Sequence, residues 1–186
     1  MSFFFSKKTA ALSHHQNRIK RVSFFAALCL FLSTIEYAIP KPLPFMRLGI
    51  ANIPIILSLY VFPSRDIFLL TFIKVIGQGL LSGTVFSYVF LFSASGTFSS
   101  MLIMLFLFTL FSERNLISPC GLSIAGSLAN NITQLSLSWF LIFGQNTRYF
   151  APLLLISGLI SGTSIGILTE YCKNNSHWFK QVIREL

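Results

Sequence analysis

Long apolar runs separated by short polar segments dominate the chain. A helix needs about 20 apolar residues to cross a hydrocarbon core about 30 Å thick, and six stretches approach or exceed this length. They cover residues 22–38, 49–62, 66–83, 86–111, 119–143 and 150–171. The pattern predicts an all-α integral membrane protein, built as a bundle of about six transmembrane helices.

Two of these stretches leave the number of spans open. The second is short and contains Pro54, so it crosses alone only if residues 46–48 extend it or the bilayer thins there. The fourth contains Gly96 within S-A-S-G-T-F-S-S and is compatible with two half-spans. Five and seven spans therefore stay open beside six.

The composition excludes several classes of protein. Hydrophobic residues make up 54% of the 186 positions and charged residues only 10%, where a soluble domain carries about 25%. This leaves too little polar surface for a soluble enzyme or a disordered chain. The cysteines, Cys29, Cys120 and Cys172, form no C-x-x-C pair, so we predict packing roles for them and neither a metal site nor a disulfide framework.

With six spans, the basic residues are distributed unevenly between the two sides of the membrane. Cytoplasmic loops of membrane proteins carry an excess of Lys and Arg. With the N-terminus inside, three lie outside: Lys41, Arg47 and Arg148. Ten lie inside: Lys7, Lys8, Arg18, Lys20, Arg21, Arg65, Arg114, Lys173, Lys180 and Arg184. We therefore predict a multi-pass protein of the cytoplasmic (inner) membrane, with cytoplasmic tails at 1–21 and 172–186 around a membrane domain at 22–171. The basic excess indicates orientation, and no nucleic-acid partner is expected.

Polar residues inside the spans recur at helical spacing. A charged side chain at mid-bilayer costs roughly 2.5–3.5 kcal/mol, so such residues point to function. The third span carries Thr71, Lys74, Gln78 and Ser82 on one face, and the fifth carries Ser123, Ser127, Asn130, Asn131, Gln134 and Ser138. We predict a small-molecule site open to the outside and lined by Glu36, Asn52, Lys74, Gln78, Asn130, Asn131 and Gln134. The alternative is that these groups satisfy one another, with Glu36 and Lys74 as a buried ion pair.

Glycines recur every four residues on two spans. Small residues let membrane helices approach closely. The sixth span carries Gly158, Gly162 and Gly166, and the third carries Gly79 and Gly83. They predict either packing within the chain or a docking face for a partner subunit.

Catalytic signatures are missing from the sequence. There is no G-x-x-x-x-G-K-[ST] loop for ATP. The five acidic residues, Glu36, Asp66, Glu113, Glu170 and Glu185, are scattered, whereas Mg²⁺ bound to a diphosphate is held by carboxylates. We therefore predict no catalytic residues and no cofactor, and any active transport would draw its energy from a partner or an ion gradient.

Five blocks of sequence carry a family resemblance. They are E-x-x-I-P at 36–40, L-G-I-A-N-I-P at 48–54, F-I-K-V-I-G-Q-G-L-L-S-G at 72–83, S-A-S-G at 93–96 and G-S-L-A-N-N-I-T-Q-L at 126–135. In order and spacing they resemble the Gx transporter family, also described as heptaprenyl diphosphate synthase component I. This chain departs from the family pattern at Asn130, where His is common, and at Lys74, where Arg is common.

The resemblance implies two functions. The family is similar to the substrate-binding S components of energy-coupling-factor (ECF) transporters, six-helix proteins powered by a transmembrane coupling subunit and ABC ATPases. This implies a subunit that takes up a small, vitamin-like or anionic solute. The alternative is a non-catalytic membrane component of a heptaprenyl or polyprenyl diphosphate synthase, with a soluble prenyltransferase subunit as its partner.

Overall fold

The computed structural model describes residues 2–39, 49–111 and 117–176, and this part of the chain contains helices and no strand. The all-helical prediction is confirmed. The six α-helices of the described residues are α1 (Ser2–Ala38), α2 (Ile53–Ser58), α3 (Ser64–Leu81), α4 (Tyr88–Phe111), α5 (Pro119–Ser138) and α6 (Thr147–Asn175). A 3₁₀ turn at Ile50–Asn52 precedes α2, and a π turn at Trp139–Phe143 and a 3₁₀ turn at Gly144–Asn146 join α5 to α6.

Helix α1 is longer than the predicted first span. It begins at Ser2 and includes most of the segment predicted as a basic tail. No Gly or Pro occurs among residues 2–21, and these are the residues that most disfavour a helix interior. The change from polar to apolar residues near residue 22 therefore shows where the apolar stretch begins, whereas the helix itself begins at Ser2.

Helix α2 is a short, fully buried half-helix. All six of its residues, Ile53–Ser58, are buried. At 1.5 Å per residue it is about 9 Å long, too short to cross a membrane alone. Gly49 precedes it with φ 82°, a left-handed conformation that glycine adopts without steric cost, and Pro54 lies in its first turn, where a missing N–H costs nothing.

Helix α4 runs without interruption through Gly96, so the two half-spans left open above do not occur. Gly96 is instead a point of close contact with α5, because a Cβ there would overlap the side chain of Asn130. Further along, a Cβ on Gly126 of α5 would lie 2.8 Å from Met104 Sδ and Ser100 Oγ of α4. The two helices therefore pack antiparallel.

Helices α5 and α6 form an antiparallel hairpin built on the glycine stripe of α6. A Cβ on Gly158 or Gly162 would overlap Asn131 or Ser127 of α5, and one on Gly166 would lie 2.6 Å from the Cα of Cys120. The chain reverses at Gly144, where φ is 50°. These three glycines thus pack within the chain.

The two glycines predicted on the third span lie in different surroundings. A Cβ on Gly79 would lie 2.6 Å from the ring of Phe90 on α4, so Gly79 also packs within the chain. Gly83 follows α3 with φ 64°, and no atom lies within 4 Å of an added Cβ. Gly83 therefore serves the turn and not a helix contact.

Helices α1 and α3 lie side by side and parallel. Arg18 of α1 donates from Nε to Asp66 Oδ2 of α3 at 2.7 Å, and its Nη2 donates to Oδ1. Twelve residues later on α1, Leu30 lies against Gly77 of α3. The core continues from here to the residues around α2, where the rings of Phe25 and Phe62 meet edge to face at 5.1 Å.

The outer surface is apolar. Two helical stretches are long and apolar enough to cross a membrane, Tyr88–Phe111 and Pro119–Asn175, the second folded back on itself at Gly144. Large hydrophobic side chains point outward, with Phe140 81% exposed. Several basic residues used to predict orientation lie outside the described residues: Lys41, Arg47, Arg114, Lys180 and Arg184.

Candidate functional site

A small polar cavity lies where α1, α3, α4, α5 and α6 meet the turn before α2. Its volume is about 20 Å³, enough for one ordered water, which needs about 10–15 Å³. We call it the central cavity. It is lined by Glu36, Gly49, Ala51, Asn52, Lys74, Thr97, Ser127, Asn130, Asn131, Gly158 and Ser161.

Glu36 lies at one side of the central cavity and is 1% exposed. Its Oε1 accepts a hydrogen bond from the backbone N–H of Gly49 at 3.1 Å, and its Oε2 accepts one from that of Ala51 at 3.3 Å. A buried carboxylate is tolerated only when it is hydrogen-bonded or paired. Glu36 therefore attaches the end of α1 to the turn that starts α2.

Lys74 supplies the positive charge of the central cavity and is 3% exposed. Its Nζ donates to Oδ1 of Asn52. The cavity thus contains one carboxylate and one ammonium group, and its formal charge is close to zero.

The amides of α5 hold the opposite wall. Asn131 donates from Nδ2 to the carbonyl oxygen of Leu154 on α6 at 2.7 Å. Asn130 Nδ2 lies 3.4 Å from Asn131 Oδ1, and Gln134 Nε2 lies 3.4 Å from Asn130 Oδ1. The three amides form a chain in which Asn131 also joins two helices.

The structure brings together five of the seven side chains predicted for the site: Glu36, Asn52, Lys74, Asn130 and Asn131. Gln78 and Gln134 are buried but do not line the central cavity. Their Oε1 atoms have no hydrogen-bond partner among the described residues. Helical periodicity predicted that both lie on the buried faces of α3 and α5. It could not predict which residues along these faces line the cavity, because that depends on how the helices pack together.

The sequence interpretation missed the contribution of α4 and of α6. Thr97 and Ser161 line the central cavity, although Thr97 Oγ1 also donates to the carbonyl of Ser93 at 2.7 Å. Ser93, Thr97 and Ser100 are spaced by four and three residues and are all buried. This third polar stripe could have been found by the spacing rule that identified the other two.

A second, smaller cavity of about 10 Å³ adjoins the first and shares Gly49, Asn52 and Ser127 with it. Ser100 also lines it, and its buried hydroxyl has no partner among the described residues. Buried hydroxyls are usually satisfied by protein or by ordered water. The polar interior therefore extends as water-sized spaces between α2, α4 and α5.

Glu36, Lys74 and Asn131 bond to groups of the protein itself, and the space between them holds one water. Within the described ranges, no three His, Cys, Asp or Glu side chains lie close enough together to hold a metal ion. Glu36 and Asp66 are both engaged in structural hydrogen bonds.

A family model described as heptaprenyl diphosphate synthase component I matches residues 25–172. The matched segment includes the apolar part of α1 and the whole of α2 to α5. No curated protein matches the chain, and no solved structure does.

Proposed function

Because the chain belongs to the heptaprenyl diphosphate synthase component I family, we propose that it is a membrane-embedded, non-catalytic subunit that works with a separate prenyltransferase. The observation that carries this proposal is the family match over most of the chain. The scattering of the five acidic residues supports it, since a Mg²⁺–diphosphate site requires carboxylates close together. The chemistry of prenyl transfer would then lie in the partner.

The apolar surface supports a location inside the bilayer. The described helices expose Phe, Leu and Ile side chains, and three of their charged groups, Glu36, Asp66 and Lys74, are buried. The exposed charges lie outside the long apolar stretches: Arg18, Lys20, Arg65 and Arg148. This is the distribution that a hydrocarbon solvent favours. We place both termini in the cytoplasm, as the basic residues predict.

The proposal is tested by partner capture and reconstitution. The tagged chain is purified from its native membranes in mild detergent, and the proteins that co-purify in stoichiometric amounts are identified. We expect an aspartate-rich prenyltransferase, and its rate of long-chain prenyl diphosphate formation should rise when the chain is added in liposomes. An unchanged rate, or a partner set without a prenyltransferase, overturns the proposal.

The central cavity favours a second candidate function, the capture of a small solute by an ECF-like transport subunit. The specific observation is a polar space with Glu36 and Lys74 in its wall. At about 20 Å³ it holds one water, so a solute would enter only if the surrounding helices separate. Transport would then be driven by a coupling subunit and ABC ATPases. The balanced charges favour a solute with no net charge over the anion suggested by the outer basic residues, because a buried net charge requires a compensating one.

A thermal-shift screen separates this second function from the first. Purified protein is incubated with small polar metabolites, and a ligand should raise the unfolding temperature because it binds only the folded state. The same ligand should have no effect on Lys74→Met and its usual effect on Lys20→Met, where the lysine is exposed. ABC ATPases among the co-purified proteins would support solute capture, and a screen without any Lys74-dependent shift would reject it.

A further inference from the structure

Helices α5 and α6 pack in a regular antiparallel register. Ser127 Oγ of α5 donates to the carbonyl oxygen of Gly158 on α6 at 2.9 Å. Asn131 Nδ2 of α5 donates to the carbonyl oxygen of Leu154 on α6 at 2.7 Å. A step of four residues forward along α5 therefore matches a step of four residues back along α6, as the equal rise of two helices requires.

Continued toward the hairpin turn, this register brings two hydroxyl groups opposite each other. Ser138 lies seven residues after Asn131, and Thr147 lies seven residues before Leu154. Both therefore lie two helical turns, about 10 Å, beyond that contact and on the same helix faces. Gln134 lies one turn after Asn131 on α5. We call this part of the helix contact, with Gln134, Ser138 and Thr147, the α5–α6 seam.

The α5–α6 seam contains three buried polar atoms without a protein partner. Gln134 and Ser138 are 0% exposed, and Thr147 is 3% exposed. Gln134 Oε1, Ser138 Oγ and Thr147 Oγ1 have no hydrogen-bond partner among the described residues. An unsatisfied buried polar group is costly, and ordered water commonly satisfies such groups. Three of them along one helix contact therefore point to a ligand that forms hydrogen bonds.

The α5–α6 seam continues the polar interior from the central cavity. Gln134 Nε2 lies 3.4 Å from Oδ1 of Asn130, which lines that cavity. Gln78 repeats this arrangement on α3, because it follows Lys74 by one turn, is buried, and has an Oε1 without a partner in the described part of the chain. Since α3 and α5 both run opposite to α4, Gln78 and Gln134 extend the polar interior in the same direction.

The chemistry of the α5–α6 seam favours water as this ligand. Its three unsatisfied atoms belong to neutral groups, one amide oxygen and two hydroxyls. An amide oxygen only accepts hydrogen bonds, whereas a hydroxyl donates and accepts, so the ligand must do both. The two polar cavities of the bundle have volumes of about 20 and 10 Å³, which is about the space of a single water each.

We propose that the α5–α6 seam binds a short file of water molecules, which connects the central cavity to the hairpin turn. This file is the route by which water and water-sized solutes reach Glu36 and Lys74. With both termini in the cytoplasm, it opens toward the outer side. The inference goes beyond the proposed function and does not rest on it, because it requires neither a prenyltransferase partner nor a transported solute.

The first test removes the hydroxyl groups of the seam. Ser138→Ala and Thr147→Val each leave a bound water with one partner fewer, so each should lower the unfolding temperature by about 2–4 °C. The double variant should lose less than the sum of the two, because both hydroxyls bind the same file. Thr147→Ser keeps the hydroxyl and should lose less than Thr147→Val.

Ser136→Ala is the matched control for this test. Ser136 is exposed on α5, and its hydroxyl donates to the carbonyl oxygen of Ile132 in the same helix at 2.9 Å. Its unfolding temperature should stay the same or rise, since alanine is the better helix former. Unchanged or raised temperatures for Ser138→Ala and Thr147→Val would overturn the proposal, because that is the behaviour of hydroxyls that bind nothing.

The second test follows access to the central cavity. Thr97 lines this cavity, and Thr97→Cys places a thiol there in a chain whose three native cysteines are replaced by alanine. Ag⁺, a thiol-reactive ion close to water in size, is added to the protein in phosphatidylcholine nanodiscs, and the loss of free thiol is followed with time. The Thr97→Cys thiol should react. Ile156→Cys, 57% exposed on the outer surface of α6, should not, because a thiol in hydrocarbon does not form the reactive thiolate.

Filling the seam identifies the route. Ser138→Leu should slow the reaction of the Thr97→Cys thiol about tenfold, whereas Ser136→Leu, which adds the same side chain on an exposed face, should leave the rate unchanged. Thr147→Leu fills the seam from α6 and replaces Ser138→Leu if that variant does not fold. A Thr97→Cys thiol that does not react, or that reacts equally fast with the seam filled, would overturn the proposed route.

Discussion

Glu36 at the end of α1 accepts a hydrogen bond from the backbone N–H of Gly49, 13 residues later in the chain, at 3.1 Å. Gly49 adopts φ 82°, which directs the following turn and α2 into the bundle. The carboxylate and the glycine together therefore determine where the buried half-helix begins, and with it the floor of the central cavity.

Gly49→Ala should destabilise the fold by about 1–3 kcal/mol, because an alanine in the left-handed region is strained. Gly49→Asn should cost less, since Asn tolerates this conformation better than other residues with a side chain. The unfolding free energies of both variants can be measured by denaturant titration in detergent micelles. A loss for Asn as large as that for Ala would contradict a conformational limit, and a larger one would show that space limits this position.

Glu36 and Lys74 should be energetically coupled across the central cavity. Glu36→Gln removes the carboxylate charge while Lys74 stays buried, and Lys74→Met does the converse, so each should be strongly destabilising, by about 3–5 kcal/mol. The double variant should lose less than the sum of the two, because it leaves no net charge inside. The test is a double-mutant cycle on the free energy of unfolding; strict additivity would contradict the coupling.

Much of the fold follows from the sequence. The apolar stretches predicted helices that the structure places at α1 and at α3 to α6, with similar C-terminal limits. The N-terminal extension of α1 was not predicted, because hydropathy indicates which residues lie in the membrane and not which residues are helical. Helix α2 lies inside the second predicted stretch, 49–62, but its full burial as a half-helix was not predicted. The turn before it is held by hydrogen bonds from Gly49 and Ala51 to Glu36, which form only after folding.

The sequence predicted which helix faces carry the polar residues of the candidate site, but not the position of the central cavity along those helices. Polar residues three and four apart identified the inner sides of α3 and α5. Whether Gln78 or Thr97 lines the central cavity depends on how far the helices slide past one another. That offset is determined by contacts such as Gly96 against Asn130, which no spacing rule along one helix contains.

Gly158→Ala should destabilise the α5–α6 hairpin by about 1–3 kcal/mol, the usual cost of overpacking a filled core. The added Cβ would overlap Asn131, whose amide bonds to Leu154 on α6. Gly121→Ala is the matched control, because the nearest atom to its Cβ would be 3.5 Å away and alanine is the better helix former. Unfolding temperatures in detergent check both variants, and a tolerated Gly158→Ala would contradict the packing of this stripe.

The Tyr60 ring should matter more than its hydroxyl. Lys173 Nζ lies 3.7 Å from the centroid of this ring, and the ring meets Phe108 edge to face at 5.0 Å. The hydroxyl is buried and has no hydrogen-bond partner among the described residues. Tyr60→Phe keeps the aromatic face and removes a polar atom, so the free energy of unfolding should stay the same or rise.

Tyr60→Leu removes the face that attracts the ammonium group and the edge-to-face contact, so it should lose about 1–3 kcal/mol from the two interactions together. Lys173→Met tests the cation alone. It should be mildly destabilising in the wild type and in Tyr60→Phe, and neutral in Tyr60→Leu, where no ring remains. Unfolding free energies of the three single variants and the two double variants, measured against the wild type, test this. The same loss in the Tyr60→Leu background would mean that Lys173 acts through another group, and that the contact between the last turn of α6 and the residues after α2 does not depend on the ring.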